Sequence, residues 1–243
     1  LNTDTEHLSG EARLSVTRLT SGGSFEAASK AMSSVRDIWA GYHRHPFVTG
    51  IGDGSLPVEK FRFFLLQDYL YLLDYAKVFA LGLVKAQEPQ LMREFSANVD
   101  AILNGEMNIH KAYMSRLGIT EEQVLQVKTA LSNASYTNYM LSVAYSQGPG
   151  EILAAILACS WSYQEIGSRL AEIAGAADHR FYGEWISGYA SAEYAATNQA
   201  LIRLTNRLTA DYSEARIQNL IRIFTDCSRY EAGFWDMCWK MEY

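Results

Sequence analysis

Apolar residues recur at alternating steps of three and four along most of the chain after residue 24, a period typical of amphipathic α-helices. No alternating apolar run is long enough to predict a strand. Thr120 and Gln123 form a predicted capping box at the start of one helix. We therefore expect an all-α fold with eight helices, at roughly residues 25–44, 57–86, 89–117, 121–131, 134–146, 150–174, 179–208 and 213–241.

The first 24 residues differ from the rest of the chain. They are rich in Ser, Thr and Gly and end in Ser-Gly-Gly-Ser at positions 21–24. Such composition is typical of flexible linkers. The prediction is an N-terminal extension or linker over residues 1–24, followed by a single all-helical catalytic domain over residues 25–243.

Three of the long predicted helices carry a polar or reactive residue in the middle of an apolar face. These residues are Asp68 in the second helix, Cys159 in the sixth and Glu231 in the eighth. A buried, unpaired carboxylate costs several kcal/mol, so such groups are paired, protonated or functional. Helical bundles build ligand sites from residues of this kind on facing helices. The three side chains are thus candidates for one interior site.

Tyrosine is abundant, with 15 residues in the chain, and several lie on the same apolar faces. Aromatic walls with hydroxyl groups suit a flat, partly polar heterocycle, because rings stack and hydroxyls bond ring nitrogens. A purely structural interpretation stays open, since a buried cysteine behaves as a small hydrophobe. Asp68 could instead pair with Arg62 or Lys77, and Glu231 with a buried arginine.

The histidines suggest a weaker hypothesis of metal or haem binding. Glu106 and His110 resemble the Glu-x-x-His motif of di-iron bundles, but their spacing is one residue longer and no second copy exists. A buried, hydrogen-bonded His110 is the favoured interpretation. His43 and His45 precede a proline and are weak candidates for haem ligands.

Composition excludes several classes of protein. The 243-residue chain is 49% hydrophobic and 20% charged, as a folded domain is, and its net charge of −6 comes without a basic block that would bind nucleic acid. No apolar run approaches the roughly 18 residues that span a membrane. Three cysteines, an odd number in a long chain, do not resemble a disulfide framework, and they favour a cytoplasmic location.

Several segments resemble signatures of the TenA (thiaminase II) family. The sequence QDYLYL at 67–72 is similar to the family's "LQD-x-x-Y-L" signature, CSWSY at 159–163 to its "C-x-W-x-Y" core, and YEAGFW at 230–235 to its C-terminal "Y-E-x-x-F-W" motif. Further segments match near residues 106–110 and 134–137. The motifs occur in the family's order over roughly residues 32 to 241, so the resemblance is specific.

This resemblance implies a haem-oxygenase-like multi-helix bundle that assembles as a homotetramer. It also implies hydrolysis of 4-amino-5-aminomethyl-2-methylpyrimidine to the hydroxymethylpyrimidine, and cleavage of thiamine into pyrimidine and thiazole. Neither a metal nor an organic cofactor is expected. The partners are thus expected to be small molecules, with no nucleic acid and no membrane.

The resemblance also implies residue roles. Cys159 matches the nucleophile, Glu231 the proton donor, and Tyr71 a tyrosine that raises the nucleophilicity of the thiol. The positions that match pyrimidine-binding and pocket residues are Asp68, Tyr163, Tyr136 and Tyr189. Departures from the family pattern at Leu70, Ser160, Ser162 and Gln164 leave the preferred substrate open. A haem-dependent or di-metal oxygenase, or a non-catalytic pyrimidine-binding protein, are the alternative functions.

Overall fold

The computed structural model describes residues 26–243, apart from the side chain of Glu26. The predicted extension at residues 1–24 lies outside the described residues, so it stays a prediction. Residues 26–243 form α-helices and one π-helical segment and contain no strand, which confirms the all-α prediction. The elements are α1 (Glu26–Tyr42), α2 (Pro46–Gly52), α3 (Val58–Lys85), α4 (Pro89–Asp100), a π-helical segment (Ala101–Glu106), α5 (Met107–Arg116), α6 (Glu121–Leu125), α7 (Leu131–Ser146), α8 (Pro149–Ala171), α9 (Gly183–Tyr189), α10 (Ala192–Leu208) and α11 (Glu214–Lys240).

The three longest helices, α3, α8 and α11, pack against one another in the interior of the bundle. α11 also contacts α1, α2 and α7, and α8 also contacts α7, α9 and α10. The apolar faces predicted for these three helices are buried, except that Ile217 is half-buried and Ile173 lies beyond the end of α8 and is exposed. Asp68, Cys159 and Glu231 are therefore core residues, each on a different central helix.

Helix α2 was not predicted, because its sequence contains two glycines, which have low helix propensity. Pro46 at its first turn and His45, whose Nδ1 accepts a hydrogen bond from the Phe47 amide, begin the helix. The side chains of Phe47 and Ile51 are completely buried. Tertiary packing thus outweighs low helix propensity in this segment.

The predicted helix at 89–117 is continuous in the chain but changes its winding in the middle. Residues Ala101–Glu106 form a π-helical segment between α4 and α5. A π-helical turn carries an i→i+5 hydrogen bond and rotates the following residues relative to a regular α-helix. Glu106 is the last residue of this segment. The direction of its side chain consequently differs from the one that regular helical spacing predicts.

The predicted helix at 179–208 is divided into α9 and α10. Ser191 has an extended backbone conformation, and its hydroxyl accepts a hydrogen bond from the amide of Tyr194. This cap starts α10 in a new direction. Ala196 of α10 is exposed as a result, whereas Tyr189 of α9 is buried.

The remaining helices differ from the predictions mainly at their ends. The Thr120–Gln123 capping box is confirmed, since both of its hydrogen bonds are present. Helix α6 nevertheless ends at Leu125, and α7 begins three residues before its predicted start. None of the helices described here is both long and apolar enough to cross a membrane.

Candidate active site

The thiol of Cys159 lies at the centre of α8, a helix buried along almost its whole length. Only 8% of the residue is exposed. Burial raises the pKa of the thiol well above its ordinary value, and the charge of Glu231 raises it further, whereas the nearby hydroxyl of Tyr71 lowers it. In this structure that hydroxyl donates to the sulfur of Met140 at 3.8 Å. The thiol is thus protonated at neutral pH, and it needs a proton acceptor before it can act as a thiolate.

Glu231 of α11 is a buried carboxyl group with a strongly shifted proton equilibrium. Burial and the charge of Asp68 raise its pKa to about 8, although the nearby hydroxyls of Tyr136 and Tyr163 lower it in part. Within residues 26–243, neither Oε2 of Glu231 nor the Tyr136 hydroxyl has a partner with full hydrogen-bond geometry. At neutral pH the carboxyl group of Glu231 is therefore protonated in most molecules, and it can donate that proton to a ligand.

Asp68 of α3 is held by a histidine from α5. Its Oδ2 lies 2.5 Å from Nε2 of His110, and both side chains are buried. The other ring nitrogen, Nδ1, lies 3.1 Å from the backbone oxygen of Glu106. Burial alone would lower the pKa of His110, but the hydrogen bond and charge of Asp68 raise it above its ordinary value. The favoured form is an imidazolium paired with an Asp68 carboxylate.

This contact decides between the interpretations of both residues. Asp68 pairs with neither of the basic residues considered from the sequence; Lys77 instead forms an ion pair with Asp74. Both ring nitrogens of His110 are engaged by protein oxygen atoms, as expected for a hydrogen-bonded core histidine. In the described part of the chain, no cluster of three His, Cys, Asp or Glu side chains has the arrangement of a metal site.

Aromatic rings link these groups into one interior region. Tyr71 lies 5.2 Å from Tyr136 between ring centroids, and Tyr163 lies 5.0 Å from Tyr189. The charges of Asp68, Glu231 and Cys159 all raise the pKa of the Tyr163 hydroxyl, after burial itself. All seven residues that the sequence singled out are therefore buried, and contacts or mutual electrostatic effects connect them. They are Asp68, Tyr71, Tyr136, Cys159, Tyr163, Tyr189 and Glu231.

A cavity of about 530 Å³ lies beside this cluster, between α3, the π-helical segment, α5, α8, α9 and α10. Of the predicted site residues, Tyr189 lines it. Its hydroxyl donates a hydrogen bond of 2.7 Å to Oε1 of Glu106, which also lines the cavity. The sequence had suggested Glu106 only as a metal ligand, and Tyr194 and Asn198 of the cavity wall were not identified, since nothing in their spacing separates them from ordinary core residues.

The two histidines considered as haem ligands lie elsewhere. His45 caps α2, and its Nε2 lies 3.2 Å from Oδ1 of Asp236. His43 is half-buried; burial and the nearby charges of Arg169 and Arg44 lower its pKa to about 4. Neither residue lines the cavity. The haem hypothesis therefore has no support from the positions of these side chains.

Comparison with known proteins identifies a family and relatives that agree with one another. Residues 32–241 match the model of the TENA/THI-4/PQQC family. The chain is 46% identical to an aminopyrimidine aminohydrolase of Helicobacter pylori over 85% of this chain and 95% of that protein. It is 45% identical to an aminopyrimidine aminohydrolase of Halalkalibacterium halodurans over 88% of this chain and 95% of that protein.

Solved structures agree with the fold. A TenA homologue from P. horikoshii OT3 superposes with a TM-score of 0.81 at 30% identity, covering 88% of this chain and 98% of that one. A Shewanella denitrificans domain described as having a heme oxygenase-like fold gives a TM-score of 0.66 at 15% identity, covering 89% of this chain and 90% of that one. The predicted haem-oxygenase-like bundle is thus confirmed, and the chain belongs to the TENA/THI-4/PQQC family.

Proposed function

We propose that this protein hydrolyses the C–N bond between the C5 methylene group of a 4-aminopyrimidine and its nitrogen substituent, and so converts 4-amino-5-aminomethyl-2-methylpyrimidine to the hydroxymethylpyrimidine. The observation that carries the proposal is the meeting of a buried thiol, a buried acid with a pKa of about 8 and a histidine-held carboxylate among tyrosine rings. The activity named for the relatives from H. pylori and H. halodurans supports it.

Asp68 and the tyrosines bind and orient the pyrimidine. An Asp68 carboxylate accepts a hydrogen bond from the exocyclic amine, and His110 prevents that carboxylate from turning away. The rings of Tyr163 and Tyr136 provide faces on which a flat heterocycle stacks. Recognition of one amine and one ring plane fixes which ring carbon is presented to Cys159.

Glu231 activates the ring. A pyrimidine carbon is a poor electrophile until a ring nitrogen is protonated or firmly hydrogen-bonded. Because most of Glu231 carries its proton at neutral pH, and its Oε2 has no partner among the described residues, it can donate that proton to a ring nitrogen. A glutamate with an ordinary pKa would be ionised at neutral pH and could not act in this way.

Cys159 then adds to the activated ring carbon. Its proton passes to the Glu231 carboxylate that has just protonated the ring, so the two protons balance. The electrons of the dearomatised ring expel the C5 substituent, bound in its ammonium form, as ammonia. Water then adds to the methylene carbon, and its extra proton passes to the ammonia. The sulfur finally departs with its bonding pair, and the proton on the ring nitrogen returns through Glu231 to the thiolate, which restores the aromatic ring. Covalent addition replaces one difficult displacement with several easier steps.

Thiamine is a second proposed substrate, because its thiazolium nitrogen occupies the same position on the methylene group. We also propose the cytoplasm as the location and a homotetramer as the assembly, as the family resemblance implies. A di-metal oxygenase is the less favoured alternative, since both ring nitrogens of His110 already bind protein oxygens. A non-catalytic pyrimidine-binding protein is the other alternative, and it would bind the aminomethylpyrimidine without turnover.

The deciding experiment is an assay of the purified chain on the aminomethylpyrimidine, with the hydroxymethylpyrimidine detected by mass spectrometry. Cys159→Ser should reduce turnover by a factor of about 10³ or more, because an alcohol does not supply the thiolate nucleophile. Cys227→Ser is the matched control, since that thiol is also buried but has no assigned role. Full turnover by the Cys159 variant would refute the covalent mechanism, whereas no turnover by the wild-type protein would leave only a binding function.

A further inference from the structure

The cavity lined by Tyr189 and Glu106 has no role in the mechanism described above. Its volume of about 530 Å³ lies within the roughly 300–1,000 Å³ typical of sites that enclose a drug-sized ligand. Such a volume is ample for a substituent extending from a pyrimidine ring bound at the thiol. The question is which substituent chemistry its walls would select.

The charged groups on the cavity wall are almost all carboxylates. Glu106, Glu184 and Glu193 line it, and the described residues around it include no lysine and no arginine. Among the residues described at this wall, the one histidine is His110, and it is already paired with Asp68. A cavity with this charge balance favours a cationic ligand over a neutral or anionic one.

Glu106 is the carboxylate among these that is best fixed in place. The hydroxyl of Tyr189 donates a hydrogen bond to its Oε1, and the π-helical segment ends at this residue. Glu184, in contrast, forms an ion pair with Arg116, and Glu193 is exposed at the start of α10. Glu106 is therefore the carboxylate most suited to binding a cation inside the cavity.

Three further polar atoms of the wall are buried and lack hydrogen-bond partners within the described residues. They are Oγ of Ser160, Oδ1 of Asn198 and Nε1 of Trp185. The side-chain nitrogen of Asn198 donates to the backbone oxygen of Ser160 at 3.0 Å, which fixes the amide and leaves its oxygen free. Buried polar atoms without partners carry a free-energy cost that a bound ligand can remove.

Two residues of the cavity wall contact the aromatic residues assigned to the pyrimidine site. Tyr75 stacks on Tyr71 with 5.4 Å between ring centroids, and Tyr189 lies 5.0 Å from Tyr163. The aromatic faces of Tyr75 and Tyr189 can also stabilise a cation. A pyrimidine attacked by Cys159 would thus direct its C5 substituent toward Glu106.

We propose that this cavity is the subsite for the departing group of the substrate, and that Glu106 selects a cationic C5 substituent such as an aminomethyl group in its ammonium form. The proposal rests on the function proposed above, since it assumes that the ring lies at Cys159. The ammonium nitrogen loses its positive charge when the C–N bond breaks with the electron pair leaving on nitrogen. Glu106 therefore acts mainly on substrate affinity and only weakly on the chemical step.

The test measures binding rather than turnover. In a Cys159→Ser background, which prevents reaction, calorimetry gives Kd for the aminomethylpyrimidine and for the hydroxymethylpyrimidine, two ligands that share the ring and differ in the charge at C5. Adding Glu106→Gln should weaken the cationic ligand at least tenfold and the neutral ligand less than twofold. Loss of affinity for both ligands to the same degree, or for neither, would overturn the subsite.

Two controls keep the result interpretable. Glu165→Gln removes another half-buried carboxyl group with a raised pKa, but one outside the cavity, and should leave both affinities unchanged. Glu106→Asp keeps the charge and gives an answer if the Gln variant does not fold; it should preserve most of the preference for the cation. Failure of the proposed function would appear separately, as wild-type protein that binds the ring but does not turn it over.

Discussion

At the scale of single residues, the contact between Asp68 and His110 determines what the ligand meets. A backbone carbonyl only accepts hydrogen bonds, so Nδ1 of His110, which faces the oxygen of Glu106, retains its proton. A single further proton then lies between Nε2 and Asp68. The raised pKa of His110 favours its position on the imidazole. Asp68 consequently offers an anionic oxygen to the exocyclic amine of a pyrimidine.

We predict that His110→Gln weakens binding of the hydroxymethylpyrimidine by about tenfold or more, because Gln carries no charge and leaves the Asp68 carboxylate uncompensated. Removing one partner of a buried ion pair also costs up to about 3–5 kcal/mol of stability. Calorimetry and urea unfolding measure the two effects. The double variant Asp68→Asn with His110→Gln should regain part of the stability, since it buries no charge. Unchanged affinity and stability in the single variant would contradict this role.

The sequence indicated the three central residues but not their partners. Asp68, Cys159 and Glu231 stood out because each interrupts an apolar face of a long helix, and burial confirms that placement. His110 is 42 positions from Asp68, and no local spacing predicts that they meet. The direction of Glu106 depends on the π-helical segment, whose extra residue per turn leaves no signature in the pattern of apolar positions.

At the scale of helices, the packing of α3 against α4 depends on a residue without a side chain. A Cβ atom added at Gly82 would lie 2.3 Å from the ring of Phe95. We predict that Gly82→Ala lowers the unfolding free energy by about 1–3 kcal/mol, the usual cost of overpacking a core. Thermal unfolding followed by circular dichroism measures the effect as a fall of several degrees in Tm.

Gly41 of α1 provides the matched comparison. A Cβ atom there would meet no described atom within 4 Å. Gly41→Ala should leave Tm unchanged or raise it. The reason is that Ala is more favourable than Gly in a helix by up to about 1 kcal/mol. Equal effects of the two substitutions would mean that the close approach of the Phe95 ring adds no cost at Gly82.

Helix boundaries were predicted less well than helix faces, for identifiable reasons. α2 forms because Phe47 and Ile51 are buried by neighbouring helices, a contribution that a local pattern does not contain. The break between α9 and α10 depends on one hydroxyl, that of Ser191, within a segment whose apolar spacing continues on both sides. A serine in a helical pattern is equally compatible with an exposed helical position.

At the scale of the whole molecule, buried ionisable groups couple folding to pH. The pKa of Glu231 is about 8 in the folded protein and near 4.5 in an unfolded chain. Between these two pH values the folded state holds the proton more tightly than the unfolded chain does. The free energy of unfolding therefore falls as pH rises through this range. Glu106 and His110 have raised pKa values and act in the same direction. His43, whose pKa is lowered to about 4, opposes them on the acid side.

We predict that Glu231→Gln removes a large part of this pH dependence. The wild-type free energy of unfolding should fall between about pH 5 and pH 8, by as much as several kcal/mol for Glu231, since one pKa unit corresponds to about 1.4 kcal/mol. The variant should show a flatter curve and turnover reduced about a hundredfold or more. Urea unfolding at a series of pH values measures the difference. Parallel curves for the two proteins would show that Glu231 is ionised in the folded state.

Helix α11 contacts α1, α2, α3, α7 and α8, and it is made by the ribosome after all of them. Before α11 has emerged from the ribosome, the apolar sides of those neighbouring helices are uncovered. The candidate site also lacks Glu231 at that stage. Catalytic competence and protection from proteases therefore arrive together, once α11 has packed against these helices.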